Sequence, residues 1–147
     1  ALEHKSRRSD VLVDAMAMHM VLDPSQYEVI VSNNLFGDIL TDLGAAIQGG
    51  LGLAASGNIH PGKVSLFEPV HGSAPPLAGK GVANPVGAIL TSAMMLEYLG
   101  FQTLSKEIEE AVRAAISANE VTRDLGGQLS TEQAGAAIMA RLGSEKK

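Results

Sequence analysis

Leu66-Phe67-Glu68-Pro69-Val70-His71-Gly72-Ser73-Ala74-Pro75 opens a segment that continues through Ala78-Gly79-Lys80-Gly81-Val82-Ala83-Asn84-Pro85 into an apolar, helix-like run. Its side chains are too short to build a core: Gly72, Gly79 and Gly81 alternate with Ala74, Ala78 and Ala83, and Pro75 and Pro76 stiffen the middle. Glycine permits backbone conformations and close approaches that a Cβ would block, and proline fixes the path of a loop. Such a segment suits a loop whose amides approach a ligand. On composition alone a rigid surface loop is the better reading, and the order of the residues has to decide.

Outward from this segment the chain alternates between helix and strand signals. On the N-terminal side, Val11-Leu12-Val13 is a short apolar run, and Ala15 to Leu22 has an Ala/Met composition that favours a helix. Asp23-Pro24-Ser25 closes it with turn chemistry. The β-branched cluster in Tyr27-Glu28-Val29-Ile30-Val31-Ser32 predicts a buried strand. Asn33 or Asn34 can cap a helix from about Phe36 to Gln48, which Gly49-Gly50-Leu51-Gly52 ends. The stretch from Gly49 to Pro85 reads mostly as loop, with a strand at Val64 to Phe67.

Beyond the loop, Pro85 fits the first turn of a long helix through Leu99, with Gly100 as its stop. Leu104, Ile108, Ala111, Val112, Ala115 and Ile116 mark an amphipathic helix over Leu104 to Ala118. Ser130-Thr131-Glu132 begins a last helix, Gln133 to Leu142, before a solvated tail at Gly143-Ser144-Glu145-Lys146-Lys147. The fold class this pattern implies is α/β.

A chain of 147 residues suits one domain with a respectable core. Aromatic residues make up only 3% and tryptophan is absent, so that core must rest on Leu, Ile, Val, Ala and Met. No apolar run reaches transmembrane length. The net charge of −5 disfavours a nucleic-acid surface. The absence of cysteine excludes disulfides, thiolate metal sites and cysteine nucleophiles within these residues. Ala1 to Asp10 lack the apolar core of a signal peptide, so the expected location is cytoplasmic, with no membrane and no nucleic-acid partner.

Asp38 and Asp42 stand four apart on a predicted helix, so both carboxylates project from one face. Like charges at that spacing disfavour an isolated helix by roughly 0.2–0.5 kcal/mol. A hard divalent cation would turn the repulsion into attraction, and Mg²⁺ or Mn²⁺ prefers oxygen ligands. A solvated acidic face near a helix N-terminus explains the pair equally simply. Asp14, isolated in Val13-Asp14-Ala15-Met16, reads on its own as a helix N-cap.

Glu-Pro-Val-His-Gly-Ser-Ala-Pro followed by Ala-Gly-Lys-Gly-Val-Ala-Asn-Pro resembles the adenosine-binding loop of the β-decarboxylating dehydrogenases, the family of isopropylmalate, homoisocitrate, isocitrate and tartrate dehydrogenases. The resemblance extends through Val13-Asp14-Ala15-Met16-Ala17-Met18, Asn34-Leu35-Phe36-Gly37-Asp38-Ile39-Leu40-Thr41-Asp42, Gly50-Leu51-Gly52-Leu53 and Asp124-Leu125-Gly126-Gly127. It implies the C-terminal portion of that α/β fold, with residues 1–48 belonging to the substrate and dimerisation domain and residues 49–147 to the cofactor domain. The family's Tyr, Lys and substrate-gripping basic residues would lie outside this chain.

By the same resemblance, Asp14, Asp38 and Asp42 are metal ligands for Mg²⁺ or Mn²⁺, with Asp14 reaching in from the other subunit of a homodimer. Glu68, His71, Gly72, Ser73, Ala74 and Asn84 line the site of NAD. Turn geometry is the alternative for His71 and Asn84, and a structural acceptor role the alternative for Glu68. The implied activity is metal-dependent, NAD-linked oxidative decarboxylation of a 2-hydroxy acid. The favoured substrate is 3-isopropylmalate, giving 4-methyl-2-oxopentanoate in leucine biosynthesis; homoisocitrate, tartrate or malate, and isocitrate are alternatives, as is a noncatalytic or truncated dimerisation module. Two departures stand out. Pro76-Leu77 offers neither the aspartate that NAD-dependent members usually carry at the first of these positions nor the Lys-Tyr pair of NADP-dependent ones, and Ser6 to Leu12 reads unlike the family's usual segment.

Overall fold

A computed structural model describes residues 8–143, so the readings made on residues 1–7 and 144–147 lie outside the described part. The chain divides between Ile47 and Gln48 into two compact units.

In the first unit, α1 (Val13–Leu22) and α2 (Asn34–Ile47) are joined through a 3₁₀ turn at Pro24–Gln26. Leu12, not Asp14, occupies the N-cap of α1. Asp14 sits in the first turn, where a carboxylate is favoured by the helix dipole, and its Oδ1 accepts from the Ala15 amide at 2.8 Å. Asn33 caps α2 as its side chain suggests: Oδ1 accepts from the Phe36 amide at 3.0 Å. The two helices pack together, α1 burying Met16 and α2 burying Leu40 and Ala45. Gly44 lets them approach, because a Cβ there would stand 3.2 Å from Met20 Cε. His19 Nδ1 lies 2.6 Å from the Tyr27 hydroxyl, with the two rings stacked.

The predicted strand at Tyr27–Ser32 does not form. Strand residues need a neighbour for their amides and carbonyls, and among its described residues this unit offers only helices and a 3₁₀ turn. Val29 and Val31 are consequently 80% and 91% exposed. The β-branched composition reports a fit to a pleated, half-buried surface, not an independent tendency to form one.

The second unit holds an antiparallel pair, β1 (Ala55–Asn58) and β2 (Leu66–Pro69), in register Ala55 with Pro69 and Asn58 with Leu66. β2 starts two residues later than the predicted Val64. β1, Ala-Ser-Gly-Asn, carries no strand signal of its own and lies in a stretch that reads as loop. Its Gly57 faces Phe67 and Met94: a Cβ would come within 3.1 Å of the Phe67 ring and 3.4 Å of Met94 Sδ.

Helices α3 (Val86–Tyr98), α4 (Gln102–Ser117) and α5 (Thr131–Met139) complete the unit. α3 packs on both strands and on α4, and α4 packs on α5. Val86, Ala111, Val112, Ala115 and Ile138 form the core, with Leu53, Ile89 and Leu90 against it. Full burial of a Val or Ile side chain contributes about 1.5–3 kcal/mol, so these few residues decide the packing of α4 between α3 and α5. Gly100, at φ 91°, terminates the α3 segment in the left-handed conformation its sequence position predicts. α5 ends at Met139, short of the predicted Leu142. Among the described residues no helix is long and apolar enough to cross a membrane. The architecture is mixed helix and strand, a portion of an α/β fold.

Candidate functional site: a pinned glycine loop and an acidic helix face

The loop between β2 and α3 is built by local rules. Val70 donates its amide to the Ala54 carbonyl (3.1 Å), extending the strand contact one residue past β2. Ala74, at φ 42°, turns the chain into a 3₁₀ turn at Pro75–Leu77, where the Leu77 amide donates to the Ala74 carbonyl at 2.8 Å. Pro76 therefore sits inside a rigid turn and brings no side-chain donor or acceptor. Gly79 and Gly81 follow at φ 73° and 63°. A Cβ added at Gly72, Gly79 or Gly81 would meet no atom within 4 Å. The backbone on that side is open to a ligand, and the loop is exposed apart from the half-buried His71, Asn84 and Pro85.

The far end of the loop is fixed from outside. Thr131, the first residue of α5, donates its amide to the Gly81 carbonyl (2.9 Å) and its hydroxyl to the Ala83 carbonyl (2.6 Å). Asn84 Nδ2 donates to Asp124 Oδ2 at 2.9 Å, and Asn84 Oδ1 accepts from the Val86 amide at 3.0 Å. Asp124 Oδ1 in turn accepts from the Thr122 hydroxyl at 2.6 Å. Gly52 lies beneath this pair: a Cβ there would come within 2.9 Å of Asn84 Cβ and 3.0 Å of Asp124 Oδ2. Pro85, not Asn84, occupies the N-cap of α3, but Asn84, one residue earlier, still satisfies the first amide of the helix, a local role compatible with its ligand reading.

His71 Nδ1 lies 3.0 Å from the Gly72 carbonyl, which can only accept; that nitrogen carries a proton in the contact, leaving Nε2 as the acceptor of a neutral ring. Glu68 is exposed on β2, paired in register with Ser56. A nucleotide fits what the loop offers: an open glycine backbone, an imidazole, a hydroxyl on Ser73 and an amide on Asn84. Asp124 and Thr131, which hold the loop, and Thr122, which holds Asp124, carry no local signal of that task. Asp124 belongs to the quoted Asp124-Leu125-Gly126-Gly127 motif, but nothing in its spacing reveals a partner 40 positions earlier.

In the first unit, Asp38 and Asp42 are exposed one turn apart on α2, and Asp14 is exposed on α1. Asp38 Oδ2 accepts from the Asn34 amide group at 3.0 Å. Among the described residues no three acidic or imidazole groups gather into a metal-binding cluster. The chemistry of the donors suits a hard cation: two oxygen-only side chains on one helix face, with the rest of the coordination shell to be supplied from elsewhere.

Residues 5–138 match the isocitrate/isopropylmalate dehydrogenase family. The isocitrate/homoisocitrate dehydrogenase of Thermus thermophilus is 51% identical over 135 residues, covering 92% of this chain and 40% of the relative. The 3-isopropylmalate dehydrogenase of Corynebacterium aurimucosum is 58% identical over 108 residues, covering 72% of this chain and 32% of the relative. The crystal structure of isocitrate dehydrogenase from Methylococcus capsulatus superposes with a TM-score of 0.84 at 48% identity, over 88% of this chain and 39% of that one. The chain thus spans two fifths or less of the length of these relatives. With a family match over nearly all of its residues and a fold shared at this level of identity, the chain belongs to the isocitrate/isopropylmalate dehydrogenase family.

Proposed function

We propose that this chain is the C-terminal portion of a homodimeric, NAD-linked β-decarboxylating dehydrogenase, with 3-isopropylmalate as substrate and the cytoplasm as its compartment. The observation that carries the proposal is the loop from His71 to Asn84, open along its glycine backbone and pinned at its end by Thr131 and Asp124. Residues 1–48 belong in this reading to the substrate and dimerisation domain, and residues 49–147 to the cofactor domain.

The residues have separable tasks. Asp38 and Asp42 of one subunit and Asp14 of the other hold Mg²⁺ or Mn²⁺, so a complete site needs both subunits. Bound there, the cation supplies Lewis-acid polarisation of the substrate's hydroxyl and, after oxidation, its carbonyl. The His71 ring stacks on the adenine, Gly72, Ser73 and Ala74 let the backbone approach the adenosine, and Asn84 hydrogen-bonds to the base edge. Glu68 faces the nicotinamide side. These contacts orient the dinucleotide; their contribution is positioning, which lowers the entropic part of the barrier.

The name borne by the Corynebacterium relative favours 3-isopropylmalate, and the Thermus relative makes homoisocitrate and isocitrate the competitors. The test is to assay the complete protein carrying this chain with NAD and Mn²⁺ on 3-isopropylmalate, homoisocitrate, isocitrate, tartrate and malate. The highest kcat/KM is expected for 3-isopropylmalate. A higher value for another acid reassigns the substrate, and no turnover on any of them supports the noncatalytic module.

A further inference from the structure

Asn84 is the one polar side chain of the loop whose two ends are both committed within the protein. Its Oδ1 faces the Val86 N–H and its Nδ2 faces the Asp124 carboxylate. A flipped amide would put two donors against each other at Val86 and two acceptors against each other at Asp124. We infer that Asp124, itself fixed by Thr122, is a positioning residue for adenine recognition: it locks the sense of the Asn84 amide and so decides which base edge the loop accepts. The inference rests on the nucleotide reading of this loop.

The lock is stiff at each of its parts. Thr122 is 1% exposed and its hydroxyl holds Asp124 Oδ1 at 2.6 Å, so the carboxylate cannot swing away without leaving a buried hydroxyl unpaired. Gly52 gives way beneath Asn84 and Asp124, where any side chain would press on both. Thr131 holds the Gly81 and Ala83 carbonyls, so the backbone that carries Asn84 is fixed as well. An amide nitrogen has two hydrogens and an amide oxygen two lone pairs, so one of each remains after the internal bonds are made. Adenine offers an amino donor beside a ring acceptor. Hypoxanthine offers the reverse, a carbonyl acceptor beside a ring N–H. A locked amide tells them apart, whereas a freely flipping one serves both.

The experiment compares direct binding of NADH and of reduced nicotinamide hypoxanthine dinucleotide to the complete protein by calorimetry, alongside thermal unfolding. The unmodified protein is expected to bind the adenine form about tenfold more tightly, the scale of one well-made hydrogen bond. Asp124→Ala is expected to bring the two affinities to within about threefold, chiefly by weakening the adenine form. Thr122→Val should do the same in part while Thr122→Ser keeps the discrimination, and this pair carries the test if Asp124→Ala does not fold. Equal weakening of both dinucleotides in Asp124→Ala and Thr122→Val, with the ratio unchanged, overturns the inference and makes Asp124 a purely structural brace. If Asn84→Ala changes the ratio and the Asp124 and Thr122 variants do not, only the positioning role fails. If none of the variants changes binding, the nucleotide reading of the loop fails with it.

Discussion

Arg141 places its Nη1 2.7 Å from Glu120 Oε2 and equally close to the Ala137 carbonyl, tying the residues after α5 to the turn that follows α4. The Arg141 hydrogen bond lowers the Glu120 carboxyl below its ordinary 4.5, against desolvation and with a lesser contribution from the guanidinium charge. A depressed carboxylate binds its proton less readily folded than unfolded. Its contribution is therefore complete above pH 4.5 and lost as pH falls through the lower folded value. Thermal unfolding of Glu120→Gln beside the unmodified protein should show a constant difference near neutrality that closes in acid. A difference that grew in acid would contradict the pairing. The pair is partly solvated, so the effect should also shrink with added salt.

Ser130 and Gln133 form a reciprocal cap at the start of α5: Ser130 Oγ accepts from the Gln133 amide at 3.2 Å, and Gln133 Oε1 accepts from the Ser130 amide at 2.9 Å. Ser130→Ala should cost about 0.5–2 kcal/mol in chemical denaturation. Because Thr131 begins the same helix and holds the Gly81 and Ala83 carbonyls, the loss should also weaken dinucleotide binding. Unchanged stability would mean the cap is idle in solution.

Asp38→Asn in the complete protein should remove most turnover and weaken Mn²⁺ binding while leaving the fold intact. Asp14→Asn should do the same from the neighbouring subunit. Mixed dimers of the two variants should regain some activity, since one of their two sites recovers every carboxylate. Full activity of Asp38→Asn at ordinary metal concentrations, or no recovery on mixing, would remove the shared-site assignment.

Pro76 gives the loop no carboxylate for a ribose and no cation for a 2′-phosphate. NAD should therefore be preferred over NADP, by less than a carboxylate at this position would give. Pro76→Asp should tighten NAD and weaken NADP through charge repulsion. Equal or better turnover with NADP in the complete, unmodified protein would contradict this and direct attention to Arg123, beside Asp124.

The two units differ in what they bury. Unit 1 sequesters Met16, Leu40 and Ala45 while leaving Leu12 77%, Leu22 73% and Val31 91% exposed. Unit 2 closes Val86, Val112 and Ile138 almost completely. The isolated 147-residue polypeptide should be inactive and should exchange its α1, 27–33 and α2 amides well before those of α3 and α4 in hydrogen-exchange measurements. Uniform protection with a single sharp unfolding transition would contradict this.

Helix positions were legible because their signals are local. Asn33, Gly100 and Ser130 act within a turn of the ends they mark, and the amphipathic stripe of α4 needs only its own sequence. Of the strands only β2 was legible in this way, its run being read at Val64 to Phe67 and found at Leu66–Pro69. Val29-Ile30-Val31 has the composition of a strand and no ladder, while Ala55-Ser56-Gly57-Asn58 has neither signal yet pairs with Leu66–Pro69 because that partner lies beside it. The loop's candidate contacts followed from motif order. Its supports at Asp124 and Thr131 did not, because hydrogen bonds spanning 40 and 48 positions leave no spacing to read.

That long reach has a consequence for how the chain is made. The carbonyls of Gly81 and Ala83 have no Thr131 to bind until synthesis has passed well beyond α3 and α4. A nascent chain can assemble the β1–β2 pair and lay α3 across it, following the general tendency of chains to fold from the N-terminus as they emerge. The loop that leads into α3 must wait for a residue 48 positions further on before its Ala83 carbonyl exchanges water for its protein partner. Its final shape is a late event in the life of each molecule, set by the arrival of α5.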